Sequence, residues 1–315
     1  MATAEKIVSG SQQYRAILAA LFLATVTPLA AQDQGGGNGA DAAGEAEVPT
    51  DEPVQRKFVR SSSDSGALAQ QYPHLAVWLE PEDAPRVLGL VEREATGTPS
   101  GAVVILAGEG QSANDGLLEG LRSRLSKAGW ATMTLGLEQP SPSLRLARER
   151  LASAPSSADD GGEDAGAVID VNDQVAKDLL ESHREVMNGR LAAAVAWFAE
   201  REYQRVVLVG VGRGADDARA FLSEAPSVVR QVVWVAADFG GQSPEDISQL
   251  PGGGQALPVL DLYSSRGASA PDRAAAFRRA GLASYEAQAV PVSPRPAGRH
   301  AGVIANRLLG WLGSD

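Results

Sequence analysis

Three glycines at alternate positions, Gly210, Gly212 and Gly214, close the apolar run VVLVGVGRGA at 206–215, and a helix-compatible stretch follows. That spacing is the frame of a strand–turn–helix corner of the G-x-S-x-G kind, which presents a serine at strained backbone angles. The chemistry of such a corner is acyl transfer. The apex hydroxyl attacks a carbonyl, a histidine takes its proton and backbone N–H groups hold the oxyanion. Here the apex position is Gly212, which has no side chain. Gly210 and Gly214 meet the steric demand that the flanking residues be tiny. Gly212 fails the chemical demand and also relieves the strain, because glycine tolerates positive φ at little cost. The corner is expected to be retained as structure and empty as chemistry.

The same residues satisfy a second pattern. Gly210, Gly212 and Ala215 read as G-x-G-x-x-G/A, the dinucleotide fingerprint, and Asp238 ends the next apolar run roughly where a ribose-binding acid would stand. Two features weigh against a dinucleotide. The fingerprint normally opens its domain, whereas several strands precede it here, and nicotinamide cofactors are scarce outside the cytoplasm, where the N-terminus points. No cofactor is expected.

The remaining parts of a serine hydrolase can be sought separately. The loop after the third strand should supply an N–H to the oxyanion, commonly in a His-Gly context. The sequence there is AVVILAGEGQ, with Ala107 in place of the histidine and Gly108 and Gly110 kept. The acid should follow LPVLDLYSSRG, but Asp261 lies inside that strand and Ser264, Ser265, Arg266 and Gly267 fill the loop, with no carboxylate until Asp272. Asp261 is a secondary candidate, since a carboxylate within a sheet more often makes a structural hydrogen bond. His300, in GRHAG ahead of the last helix, is the best placed of three histidines for a general base; its plainer reading is a residue at a helix N-terminus. Ser112 and Ser264 are secondary candidates for a replacement nucleophile, because they end strands on the side where such sheets bind ligands. Each otherwise reads as a loop serine. His74 and His183 make no HxH or HExxH spacing, and Asp159-Asp160 lacks the oxygen pattern of a calcium loop, so no metal is expected.

These residues need a scaffold, and the chain supplies one in alternation. Leu75–Leu79 and Val87–Val91 read as a hairpin across Pro81–Pro85. Ala102–Ala107 is a continuous apolar run, as in a strand buried on both faces. A helix capped by Asn114 or Asp115 runs to Lys127, with Leu117, Leu118, Leu121 and Leu125 at helical spacing and Gly129 as its stop. Trp130–Leu135 is a strand, Ser143–Leu151 a helix, and Asp170–Glu202 a long helical region with a break expected at Asn188-Gly189. Strands follow at Val206–Val209, Val232–Ala236, Leu257–Tyr263 and Ser284–Val290. Helices follow at Asp216–Leu222, Ile247–Leu250, Pro271–Ala280 and His300–Leu312. Leading antiparallel strands followed by βαβ alternation, with the corner after the fifth strand, predict an α/β-hydrolase-like fold with a mostly parallel central sheet and helices on both faces.

The 315 residues carry a net charge of −11, 5% aromatics and no cysteine. An acidic chain without basic clusters argues against nucleic-acid binding, and the lack of cysteine excludes disulfides and thiol nucleophiles. Residues 1–31 read as a signal peptide: Lys6 and Arg15 precede the uncharged run AILAALFLATV, and small residues end at Ala31. Cleavage there implies a periplasmic or secreted protein with no stable membrane insertion; retention as an anchor is the alternative. Residues 32–66 are a Gly, Ala and acid linker that buries too little to order itself, 67–315 a single domain, and 154–166 an acidic surface loop.

With these motifs in view, the chain over about 65–313 resembles the DUF3530 family. The resemblance rests on AVWLEPEDAPRVLGLVEREATGTPSGAVVILAGEGQ, GWATMTL, VVLVGVGRGA, LPVLDLYS and NRLLGWL, in that order and spacing. It implies an exported protein of α/β-hydrolase fold whose corner is often degenerate, and it brings no activity with it. Three functions stay open: a non-catalytic protein binding a small molecule or protein at the C-terminal sheet edge, an ester or acyl hydrolase with an atypical nucleophile, and a dinucleotide-binding protein.

Overall fold

A computed structural model describes residues 65–153, 171–250, 257–266 and 270–313. The expected signal peptide, the linker up to residue 64 and the acidic loop lie outside the described residues. Eight strands form one sheet: β1 (Ala76–Leu79), β2 (Val87–Glu92), β3 (Gly101–Glu109), β4 (Trp130–Leu137), β5 (Val206–Val211), β6 (Val229–Val235), β7 (Val259–Ser264) and β8 (Tyr285–Val290). Their spatial order is β1-β2-β4-β3-β5-β6-β7-β8. The β1–β2 hairpin and the β2–β4 pair are antiparallel and every other pair is parallel. This is the predicted α/β-hydrolase-like sheet, with the glycine corner after the fifth strand.

The central strands are apolar along their whole length because both faces are covered. Every residue of β5 is buried, and so is β3 as far as Gly108. The connecting helices are α2 (Gly116–Lys127), α3 (Pro142–Ser153), α4 (Val171–Ala199), α5 (Gly214–Phe221), α6 (Pro244–Ser248), α7 (Ala270–Arg279) and α8 (Ala301–Leu312). The predicted cap of α2 is Asp115, whose side chain accepts the Leu117 N–H, and the four predicted leucines of that helix are buried. Among the described residues no helix is long and apolar enough to cross a membrane.

Two elements depart from expectation. Helix α4 runs unbroken for 29 residues through Asn188 and Gly189. Tertiary contact overrides their turn propensity. The buried Asn188 amide donates to Glu224 Oε1 at 2.8 Å, and a Cβ on Gly189 would lie 3.5 Å from Pro81 Cβ, so the helix passes close over the β1–β2 loop there. A short helix α1 (Ser65–Gln71) takes in the last two residues read as linker. Its Leu68 and Ala69 pack with Tyr72 on Leu88, Leu90 and Ala113.

Candidate functional site

The sheet order reverses between β3 and β5, so the crevice at their C-terminal ends is the place where such sheets bind ligands. The corner lies there. Gly212 has φ +54° and its N–H donates to Val235 O at 2.9 Å. The two flanking glycines are demanded by backbone, not by side chains. A Cβ on Gly210 would stand 2.4 Å from Ala215 Cα, and one on Gly214 would stand 2.3 Å from Ala107 O. Thus β5, α5 and β3 touch backbone to backbone. At the apex the situation is opposite. A Cβ on Gly212 would meet nothing nearer than Gly108 Cα at 3.9 Å. The corner therefore has the geometry of a nucleophile elbow, with room for a side chain and none present.

Gly108 faces this apex from the end of β3. Its N–H donates to Gln111 Oε1 at 2.9 Å, and Gln111 Nε2 lies 3.3 Å from the capping Asp115 Oδ1. The backbone of Gln111 is held too, by Gly108 O at 3.1 Å and by the Leu137 N–H at 3.0 Å. The chain's own carboxamide thus occupies an N–H of the β3 loop, the loop from which a hydrolase draws one of its two oxyanion donors. Sequence inspection flagged Ala107 in this loop and missed Gln111, three residues beyond the glycine.

A cleft of about 1270 Å³ opens over the corner, lined among others by Gly108, Gly212, Arg213, Phe239, Tyr263 and Arg295. The other expected site residues divide around it. His300 is not among the lining residues. It ends a 3-10 turn (Gly298–His300), and its Nδ1 accepts the Ala297 N–H at 2.9 Å. In a triad that nitrogen would carry the proton donated to the acid; here it is an acceptor held by its own turn. The turn itself is seated on α2, since a Cβ on Gly298 would lie 3.0 Å from the Gly116 backbone.

Asp261 is wholly buried and faces α7 and β8 instead of the corner. Its Oδ2 accepts from Arg273 Nε at 2.9 Å, Arg273 Nη2 at 2.7 Å and Tyr285 Oη at 2.6 Å. Burial first, and then the Asp261 charge, push the Tyr285 hydroxyl above the ordinary tyrosine range. Phe277 stacks on Tyr285 at 4.0 Å, and Trp234 packs edge-on against Phe277 and Phe239. Asp261 is accordingly the anchor of a buried cluster.

Ser264 lines the cleft, yet its Oγ donates to Val292 O at 2.6 Å and accepts the Arg266 N–H at 3.2 Å. Ser112 lines a separate cavity of about 30 Å³ and its carbonyl accepts the Asp115 N–H. Asp238, the acid of the dinucleotide pattern, is exposed; its Oδ1 accepts the Gly240 N–H at 2.9 Å and lies 3.6 Å from Arg213 Nη1. Among the described residues no group of three or more His, Asp or Glu is placed to hold a metal.

Residues 14–313 match the family described as "Protein of unknown function (DUF3530)". The chain belongs to the DUF3530 family. The match extends well to the N-terminal side of the motifs that carried the resemblance. This DUF3530 protein is similar in structure to a dienelactone hydrolase from Anabaena variabilis (15% identity, 76% of this chain and 96% of that one, TM-score 0.49). It is likewise similar to an esterase from Pyrococcus furiosus (14% identity, 76% and 88%, TM-score 0.49) and to an esterase domain from Rhodothermus marinus (12%, 75% and 96%, TM-score 0.46). These likenesses extend to the fold and no further. No curated protein matches the sequence.

Proposed function

We propose that this DUF3530 protein is an exported, non-catalytic α/β-hydrolase-like protein that binds a small molecule or a protein segment in the cleft over its glycine corner. One observation carries the reading: the apex at Gly212 is open and bare, while the Gly108 N–H opposite is already bonded to the Gln111 amide. The nucleophile is therefore absent, and one N–H of the loop facing it is already taken. The arrangement of His300, with Nδ1 bonded to its own turn, adds that no carboxylate orients a base there. The cleft remains, and its volume exceeds what small-molecule ligands usually need, about 300–1,000 Å³. Export rests on the charged start, short apolar run and small residues at 1–31.

The test of catalysis is turnover of p-nitrophenyl acetate by the purified protein, beside Ser112→Ala, Ser264→Ala and His300→Ala. All four are expected to match the buffer blank. Turnover by the wild type that any one of these substitutions abolishes would establish an active hydrolase instead. Export is tested by N-terminal sequencing of the protein recovered from a periplasmic fraction, expected to start at Ala31 or Gln32.

A further inference from the structure

Among the described residues, the residue that follows the empty apex is a largely buried charged group of the cleft that makes no side-chain hydrogen bond; Asp272 and Arg295, which make none either, are exposed. Arg213 lines the cleft with its side chain 14% exposed, and none of its guanidinium N–H groups makes a hydrogen bond among the described residues; Asp238 stands off at 3.6 Å. Its seat is built. A Cβ on Gly240 would lie 1.9 Å from Arg213 Nη1, so the guanidinium lies in the space that only glycine leaves, and Gly240 has φ +61°. The loop is folded around it: the Asp238 N–H donates to Gly212 O at 2.9 Å and Asp238 Oδ1 holds the Gly240 N–H. The Arg213 peptide N–H also has no acceptor among the described residues. A largely buried fork of N–H donors with nothing bonded to it is strongly selective for a planar oxyanion.

The surroundings narrow the class. Arg213, Arg273 and Arg295 line the cleft together with Glu109, Asp238 and Asp272, three charges of each sign. Arg273 is neutralised by Asp261, and Glu109 is paired with Arg148. That leaves Arg213 and Arg295 against Asp238 and Asp272, a balanced set in which a second negative charge on the ligand is repelled more than a single one. Val211, Phe239, Pro244 and Ile247 supply apolar wall in the same cleft. The geometry points to a monocarboxylate with an apolar tail as the ligand, its carboxylate on Arg213 in place of the exposed Asp238. This rests on the cleft being a binding site and not a reaction centre.

The experiment is calorimetric titration of the purified chain with octanoate, octan-1-ol and inorganic phosphate. Octanoate is expected to bind at least tenfold tighter than octan-1-ol, and phosphate more weakly than either. Arg213→Gln should weaken octanoate at least tenfold and leave octan-1-ol within twofold, which also reports that the variant is folded. Asp238→Asn, which keeps the acceptor for Gly240 and removes the competing charge, should tighten octanoate several-fold, a gain that misfolding does not produce. Equal binding of octanoate and octan-1-ol, or octanoate binding that survives Arg213→Gln, overturns the inference and leaves the cleft a binding site for neutral apolar ligands. Failure of octanoate to bind the wild type, or tighter binding of phosphate, overturns it as well. Hydrolysis of p-nitrophenyl octanoate by the wild type is the separate result that overturns the non-catalytic reading.

Discussion

Strands β5 and β7 deliver their C-terminal ends to the same cleft, and they are fixed there by different means. At the end of β5 the backbone is fixed and the chemistry absent. Gly210 and Gly214 stand where a Cβ would enter neighbouring backbone, so packing alone holds the corner in shape. At β7 a carboxylate is present, but Asp261 is turned into the protein and bonded to Arg273 and Tyr285. The comparison teaches that backbone contact alone can hold a corner's frame, whereas a buried polar side chain is held where its neighbours set a need for it. Asp261 has such a need, the neutralisation of a buried arginine. Position 212 has none.

Substitutions can break or sharpen that contrast, and the largest effect belongs to β7. Asp261→Ala leaves Arg273 buried without its counter-charge, and breaking a buried pair of this kind costs about 3–5 kcal/mol. Urea unfolding should show it, and a loss below about 1 kcal/mol would mean that the pair is not structural. Next comes the frame of the corner. Gly214→Ala drives a Cβ against Ala107 O, and overpacking of this kind costs about 1–3 kcal/mol. An unchanged melting temperature would remove backbone contact as the reason for the glycine.

Tyr285→Phe is smaller, about 1–2 kcal/mol near neutral pH, from one hydrogen bond to a charged acceptor. It carries a pH signature. The folded hydroxyl titrates above the unfolded one, so its stabilisation is complete below about pH 10. Above that the unfolded chain ionises first, and stability falls by up to about 1.4 kcal/mol per pH unit on account of this group. Tyr203 is shifted upward as well, by burial and then by its hydrogen bond to Glu94, so part of the decline remains. Urea midpoints at pH 9, 10 and 11 should fall less steeply in Tyr285→Phe than in the wild type. The smallest effect is expected at the apex. Gly212→Ser meets open space and bears only the strain of a positive φ, about 1 kcal/mol. A cost equal to that of Gly214→Ala would show that apex and flank are not distinct.

The sheet was legible because its rules are local and redundant. Unbroken apolar runs marked β3 and β5, the leucine spacing and Asp115 marked α2, and the glycine triplet marked the corner. Illegible parts depended on partners far away in sequence. The bond from Asn188 to Glu224 keeps α4 whole where Asn-Gly alone reads as a break. Asp261 reads from sequence as a carboxylate inside a strand, and nothing near it in the chain announces Arg273 and Tyr285. Arg213 and Gln111 lie inside the glycine motifs, yet neither carries a pattern of its own. Gln111 fills a donor and Arg213 fills the space that Gly240 leaves, roles that no pattern of reactive residues marks.

The segment between β8 and α8 is clamped at both ends. Ser264 Oγ holds Val292 O, and Gly298 lies against the Gly116 backbone on α2. Between the clamps, Ser293–Pro296 line the cleft. The opposite rim, residues 238–242, is tied by the Asp238 N–H and side chain and turns on two glycines of positive φ, Gly240 and Gly241. The cleft thus has one wall tied to distant elements, β7 and α2, and one tied to the glycine corner itself, so a change at the corner reaches the second wall first.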